Sequence, residues 1–583
     1  MRKLFFTILL FSSLCSFALT IPKGTLYFDN SKTQYSAVRF VYGSDQNART
    51  YVLAMTQDGN KWRVEIPQTV YNMYRYTFVG GNVTTGQYAQ TFSAYKDSIS
   101  LQLGINRTAT SEVQMNAGDI FVPESGDNWA QGYWTSLSAW QADQTTPSAS
   151  ISGTLPVVYI STNGTITDTE NYKSGSLYID PLNTGYQALG TKSSPISAQF
   201  KGRGNWTWRG FDKKPYKIKF DVKQKVLGMP NNRHWCLLAG ADDDLGFLRN
   251  PTGFMVSEAL QMRWTPRMVP VELVMNGKYM GLYFLTEHVR IAANRVKITE
   301  QAEGEAHPDS VTGGWLVEID NYPSDNNIMF YEGNGQEIMI SLKEPEVLSA
   351  QQRNYIENQM YALNDALYAT TSTPLEKMLD LEEAAKFYLV QEILDDCESY
   401  HGSCFLYKDR DRNGKIDKWK FGPVWDFGNS YRHSPRSNWI YVDPEFSQIW
   451  VEQLASWPAF QEKVKEQWWI FYNTCKDNVR NRISTFASTI TPAAKNDAEV
   501  WRYTQNYCDN SNMSGKRNDF LWHFDWRIDW LYSQWGEGTK PAAWDYPMIE
   551  DGVQEHKILR NGHLLIERNG IWYDVFGRPI ILQ

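Results

Sequence analysis

The residues best suited to chemistry in this chain are two short acidic stretches, Asp395-Asp396-Cys397-Glu398 and Trp425-Asp426-Phe427-Gly428. Phosphoryl transfer needs carboxylates to hold Mg²⁺ on the phosphates and one carboxylate to orient the attacking hydroxyl, and two such clusters separated by a predicted hairpin can supply both. Upstream, the stretch from Lys201 to Asp221 holds three glycines with Arg203 and Arg209, followed by a predicted strand bearing Lys217 and Lys219. Backbone N–H groups of such a turn and cations on the strand can converge on a polyphosphate. Two residues apart, the lysines share one strand face. Each feature also has a plainer reading. The lysines could form the solvent face of an edge strand, and Asp395 and Asp396 a solvated helix end. Negative charge at a helix C-terminus opposes the dipole, however, and calls for a neighbouring cation or metal.

Three further motifs carry two readings each. Asp409, Asp411 and Asn413, with Gly414 and Asp417, match the first half of an EF-hand loop and so suggest Ca²⁺, but the twelfth position is Lys420 rather than a bidentate Glu. The alternative is a hairpin turn between Phe405-Leu406-Tyr407 and Trp419-Lys420-Phe421. Asp242-Asp243-Asp244 reads as a solvated charge run; the family resemblance given below implies instead a supporting role beside the nucleotide. His401 could orient a carboxylate or the substrate, or simply sit on the surface.

The elements that must position these residues come from a chain of 583 residues, 42% hydrophobic and 21% charged, values of a folded globular protein and not of a disordered or coiled-coil one. The net charge is −8, which gives no general attraction for phosphate backbones and sets nucleic acid aside as a partner. Arg2-Lys3, an apolar run from Leu4 to Leu14 and Ser16-Phe17-Ala18 read as a secretory signal over 1–18. No later stretch is apolar enough to span a bilayer, so a secreted or cell-surface protein without a transmembrane segment is expected. Beyond Cys15 in that leader, Cys236, Cys397, Cys404, Cys475 and Cys508 form no CxxC pair and give no zinc-cluster or redox signal, and their odd number leaves at least one thiol free or paired intermolecularly.

Alternating runs divided by turn dipeptides predict a small β-sandwich over 24–117, and a Thr/Ser/Pro-rich linker follows at 145–156. Strands are then expected from Leu155 to Ile160, Ser176 to Ile179, Ile196 to Lys201 and Tyr216 to Phe220. After a helix from Leu248 to Met262 come Val269 to Met275 and Tyr279 to Leu285. An amphipathic helix from Leu381 to Asp395, a hairpin, and Trp-rich helices from Gln448 to Gly536 complete an α+β order. The Asn561-Gly562 and Asn569-Gly570 turns predict a three-stranded meander at 555–583. Aromatic residues make up 14%, with 23 Trp and 33 Tyr, more than a core alone needs. In the sandwich, Tyr27, Tyr35, Tyr42 and Trp62 are either a glycan surface or core, whereas Trp468, Trp469, Trp522, Trp526, Trp530 and Trp535 are expected to pack the C-terminal helices.

Thr25 to Asn30, Met55 to Gly59 and Trp62 to Pro67 resemble bacterial starch-binding carbohydrate-binding modules, which implies a starch-like glycan ligand. The tail resembles C-terminal domains that route secreted Bacteroidetes proteins through their outer-membrane export system; a docked terminal hairpin is the alternative. Between them, the Lys201 to Asp221 stretch, Trp235 to Gly240, Phe247-Leu248-Arg249-Asn250, Tyr279 to Glu287, Gly313 to Asp320 and Gly422 to Phe427 stand in an order that resembles the spore coat protein H (CotH) kinase family over 155–536. The resemblance implies an atypical, two-lobed protein-kinase-like domain using ATP and Mg²⁺ on a protein substrate. It implies Lys219, Lys217 and Arg203 on the phosphates, a helix carrying Glu258, and a hinge-like strand ending at Glu287. It further implies Asp426 and Asp396 on the metal, with Glu398 orienting the acceptor. Many members carry Asp where this chain has Glu398, and a second Asp where it has Gly428. Those departures keep a second expectation open, an inactive pseudokinase acting as a surface glycan-binding or structural protein. A glycoside hydrolase is a third, though no carboxylate pair is singled out for it.

Overall fold

The computed structural model describes residues 150–536 apart from 321–326, 332–334, 336, 434, 444–445, 447, 502–503 and 505, and outside that span chiefly strands between 19 and 130 and between 556 and 580. The leader at 1–18, residues 145–149 and Tyr35 lie outside the described residues, as does the side chain of Tyr42. The chain forms two compact units, one of residues 1–149 with 210–213 and 499–507, the other of the rest. No helix among the described residues is long and apolar enough to cross a membrane.

In the first unit, one sheet runs Ile120–Phe121, Gly24–Asp29, Lys61–Ile66, Thr56–Asp58, and another runs Trp129–Ala130, Gln87–Phe92, Arg75–Asn82, Ala37–Ser44, Arg49–Ala54. Alternation buries Leu26 and Phe28 of the one and Val38 and Phe40 of the other, and the Phe78 ring centroid lies 5.5 Å from Phe28 and 5.1 Å from Phe40. Trp62 is buried with them. Two-residue strands at 120–121 and 129–130 lie past the expected boundary at 117, being too short to show alternation.

The second unit opens with seven strands closed into a barrel. Their order is Val157–Thr162, Lys173–Asp180, Ile196–Gly202, Tyr216–Val226, Met229–Leu238, Lys278–Glu287 and Met268–Met275, the last pairing in parallel with the first. Ile218, Phe220, Trp235, Leu273 and Leu285 fill it. Burying each such side chain stabilises the fold by about 1.5–3 kcal/mol. Residues 150–156 are anchored on it, for Leu155 is buried and the Ser152 N–H and hydroxyl both donate to Glu272.

A second, antiparallel sheet runs Asn327–Tyr331, Glu337–Glu344, Trp315–Ile319, Cys404–Lys408, Lys420–Phe421. Leu316 pairs with Glu344 and Val317 with Leu342, which leaves Lys343 as the extra residue of a bulge. The helix Leu381–Leu394 is capped by Asp380, whose side chain accepts from the Glu383 N–H. It is not amphipathic as expected: nearly every residue from Glu383 on is buried, because helices and the strand Lys420–Phe421 pack around it.

C-terminal helices Pro458–Ile470, Lys476–Trp501 and Met513–Trp535 follow. Trp468, Trp469 and Trp535 are buried among them, and the Trp439 ring lies 4.8 Å from Trp530. Trp522 departs from the expectation, 57% exposed on the outer face of its helix. The tail has four strands rather than three: Pro579–Ile580 pairs with Ile571–Asp574, across a connection with no Asn-Gly pair to announce it. None of the five cysteines beyond the leader is in a disulfide.

Candidate active site

Between the barrel and the second sheet, within the same unit, lies a cavity of about 670 Å³. The Gly-rich turn after Ile196–Gly202 brings Arg203 and Gly204 to its wall, and Gly204 takes φ +75°, a conformation suited to glycine. The guanidinium of Arg203 stands 5.6 Å from the Trp425 ring centroid, so the cation is stacked in place rather than salt-bridged. Lys217 lines the cavity and Lys219 does not. Both point to the same side of their strand, but Lys219 lies farther along it, its ammonium over the Tyr172 ring at 5.6 Å. Burial holds the Lys217 ammonium below its ordinary range.

The acid run Asp242-Asp243-Asp244 divides into three roles. Asp243 accepts from the N–H groups of Leu245 and Arg249 and fixes the start of the helix Arg249–Ala259. Asp244 pairs with the Arg249 guanidinium at 2.6 Å. Asp242 faces the cavity, where burial first and the Asp426 charge second push its carboxyl up to about 7. Reading the run as one solvated patch missed Asp242.

Asp426 lies on the cavity wall in the left-handed region, at φ +60°. Its neighbours hold it there. The Phe427 N–H donates to the Asn250 side chain at 3.1 Å, and its ring covers Gly253, where a Cβ would come within 2.1 Å of it. A Cβ on Gly428 would stand 3.4 Å from Asp242 Oδ2 and 3.5 Å from Asp426 Oδ1, so this glycine is flanked by two carboxylates. The donor set of Asp242 and Asp426, acidic oxygens with little cationic company, suits a hard divalent cation. Asp242 thus offers a carboxylate beside the position where Gly428 lacks one.

Glu398 also lines the cavity, and its Oε2 accepts from the Asn429 side chain. Asp396 does not reach it. The left-handed turn at Asp395 (φ +45°) sends Asp396 inward, where its backbone bridges Ser430 and ties the two acidic stretches together. Burial, then Glu398 and Asp426, hold the Asp396 carboxyl well above the usual range. Asp395 turns the other way, onto Arg436 at 2.7 Å, and this is the cation that the helix end called for.

The remaining expected residues fall elsewhere. Glu287 is fully buried between Arg295 and Arg267, outside the cavity wall, while His288, Val289 and Arg290 just after it do line the cavity. Glu258 pairs with Arg482 at 2.7 Å and does not line the cavity. His401 packs against the Phe446 ring. Asp409 accepts from the N–H groups of Thr299 and Arg410, Asp411 from Lys408, and Asp417 from Lys420. Those lysine ammoniums satisfy the loop from within, and Asn413 and Gly414, both at positive φ, form its turn.

Glu318, Asp320 and Lys343 also line the cavity and were not singled out by the sequence. The bulge aims Lys343 at Glu318 (2.6 Å) and Asp320 (3.0 Å). The signal available was a lone Glu within the apolar strand Trp315–Ile319, a charge that burial tolerates only when paired. Two histidines, His234 and His288, are kept neutral, burial lowering His234 to about 3.

The raised carboxyls set a pH dependence. Asp242 and Asp396 hold their protons in the folded protein above about pH 4, where the unfolded chain has released them. Stability therefore falls as pH rises from about 4 towards 7. A divalent cation held by Asp242 must compete with its proton, so a Mg²⁺-induced rise in melting temperature should be small near pH 5 and larger near pH 8. Equal shifts at both values would mean that Asp242 is not its ligand.

Residues 200–521 match the family model described as CotH kinase protein. No curated protein matches the chain.

Proposed function

Since the chain belongs to the CotH kinase protein family, we propose that it is an ATP- and Mg²⁺-dependent protein kinase, passing the γ-phosphoryl group of ATP to a protein hydroxyl. The observation that carries this reading is the shared cavity, with Arg203 and Lys217 on one part of its wall and Asp242, Asp426 and Glu398 on another. The two-lobed kinase reading is supported by the same cavity, which the barrel and the second sheet line together.

Arg203 and Lys217 hold phosphate oxygens, and because neither has a carboxylate within ion-pair distance among the described residues, their charge is available to the ligand. Asp242 and Asp426 hold Mg²⁺, which when bound neutralises the charge on the transferred phosphoryl oxygens. Glu398, its carboxylate fixed by Asn429, orients the acceptor hydroxyl and draws off its proton. Asp396 keeps its own proton and steadies the turn that carries Glu398. The leader at 1–18 supports export, so that the acceptor is a secreted or surface protein. Tyr27, half-buried with Lys61 over its ring at 5.9 Å, is the described sandwich aromatic placed to meet a glycan; calorimetry with maltooligosaccharides tests that tether.

Radiolabelled ATP with generic protein acceptors tests the enzyme. Mg²⁺-dependent labelling is the expected result. Its absence, with ATP still bound, would favour the pseudokinase, for which the specific observation is Glu398 and Gly428 in place of two aspartates. The lysines separate by calorimetry: Lys217→Ala should weaken ATP·Mg binding roughly tenfold to a hundredfold, one lost bond to a charged group, and Lys219→Ala about twofold or less. The reverse order would move the phosphate site along the strand.

A further inference from the structure

Behind the cavity, one cluster is composed like a metal ligand set. Cys397, His433 and Asp443 each present a donor atom, and the three atoms lie within 4.8 Å of one another. Thiolate sulfur, imidazole nitrogen and carboxylate oxygen are together the donors of Zn²⁺ and its neighbours, not of Mg²⁺ or Ca²⁺. Cys397 and Asp443 are buried, while His433 is partly open to solvent. The Nε2 of His433 is itself buried and makes no hydrogen bond, although Asp443 Oδ2 stands 3.5 Å away. A buried ring nitrogen that makes no hydrogen bond, within 4.8 Å of a carboxylate oxygen and a thiol sulfur, is a feature that a cation would complete. Among the described residues the Cys397 sulfur hydrogen-bonds to the Asn429 carbonyl, at 3.6 Å.

Charge points the same way. Arg436 is shared between Asp443 (2.5 Å) and Asp395 (2.7 Å), which leaves these three groups with one net negative charge. A divalent cation with a deprotonated Cys397 and a neutral His433 brings one positive charge, and the set balances.

We propose that Cys397, His433 and Asp443 bind one divalent cation of the zinc class, with solvent completing the coordination on the His433 side. On binding, the Cys397 S–H bond breaks, the sulfur bonds the metal and the proton passes to solvent. Cys397 stands between Asp396 and Glu398, so the ion pins the turn on which Glu398 is carried. The inference does not rest on the kinase reading and needs no nucleotide.

The test uses the full chain, stripped with chelator under anaerobic reducing conditions and titrated with Co²⁺ as an optical probe. One equivalent should bind, giving a thiolate-to-cobalt charge-transfer band and tetrahedral visible bands that Zn²⁺ bleaches and excess Mg²⁺ leaves unchanged. Cys397→Ser should remove the charge-transfer band. His433→Ala, at a partly exposed position and so compatible with folding, should weaken Co²⁺ binding at least about tenfold. No band at one equivalent, a band that survives Cys397→Ser through another thiol, or unchanged affinity in His433→Ala would each overturn the assignment. The last decides alone if the Cys397 variant does not fold.

Discussion

Asp426→Asn is expected to lower Mg²⁺-dependent transfer from ATP by about a hundredfold or more while leaving the metal-free protein at least as stable as before. The substitution keeps size and shape, and Asn accepts the left-handed conformation that Asp426 adopts at φ +60°. What it removes is one negative charge. In the reaction that charge helps fix the cation on the phosphates, and loss of a single preorganised electrostatic group of this kind costs on the order of a hundred- to a thousandfold. In the resting protein the same charge opposes Asp242, so its removal relieves a repulsion. The two readouts should move in opposite directions. Labelling rates measured beside thermal melts check both. Activity within about threefold of the parent would sink the metal-holding role, and a large loss of stability would show Asp426 to be structural.

The second large effect concerns stability alone. Arg527 is buried with Glu392, to which its guanidinium donates, and its remaining N–H groups reach the carbonyls of Glu392 (2.6 Å) and Asn438 (2.8 Å). The guanidinium also stands 4.3 Å over the Trp530 ring. Arg527→Met leaves Glu392 buried without its cation, and breaking such a pair typically costs about 3–5 kcal/mol. Burial already pushes the Glu392 carboxyl up to about 7 with Arg527 present. The double variant Glu392→Met/Arg527→Met should recover at least half of that loss, since two apolar side chains of similar volume need no partner. Denaturant titration of the parent, the single and the double variants measures this. A single-variant cost below about 1 kcal/mol would show that the pair is not holding the C-terminal helix to the helix Leu381–Leu394.

The motif order made the family legible, and short β-like runs marked six of the seven barrel strands, Met229–Leu238 being the one not expected. What alternation could not do was choose between Lys217 and Lys219, because period two puts both on one face and only the placement of the cavity along the strand separates them. Asp396 was hidden for a different reason. A single left-handed residue at the helix end sends two adjacent buried acids apart, Asp395 onto Arg436 and Asp396 beneath the turn that bridges Ser430, and nothing in Asp395-Asp396 as a dipeptide encodes that turn. Asp242 was concealed by its neighbours, since three identical residues look like one charge patch until Arg249 claims two of them. Lys343 depends on a bulge where Val317 pairs with Leu342 and Leu316 with Glu344, a tertiary event without a local signature. The helix Leu381–Leu394 misled through its polar residues, Glu383 and Glu392, which are buried and paired rather than exposed.

The closure of the barrel bears on the order in which the chain can fold. Val157–Thr162 and Met268–Met275 are the pair that completes the ring, and more than a hundred residues separate them. Until the later strand has been made, the earlier one has an unpaired edge, and the loop that must be closed is long. The other six of the seven pairings join hairpins and near neighbours, but the ring itself, and with it the wall carrying Arg203 and Lys217, is a late event whose rate is set by that non-local contact. A chain interrupted before Met268 would therefore present an open, adhesive sheet, so the interval between synthesis of the two strands is when this protein most needs to be kept from its own copies.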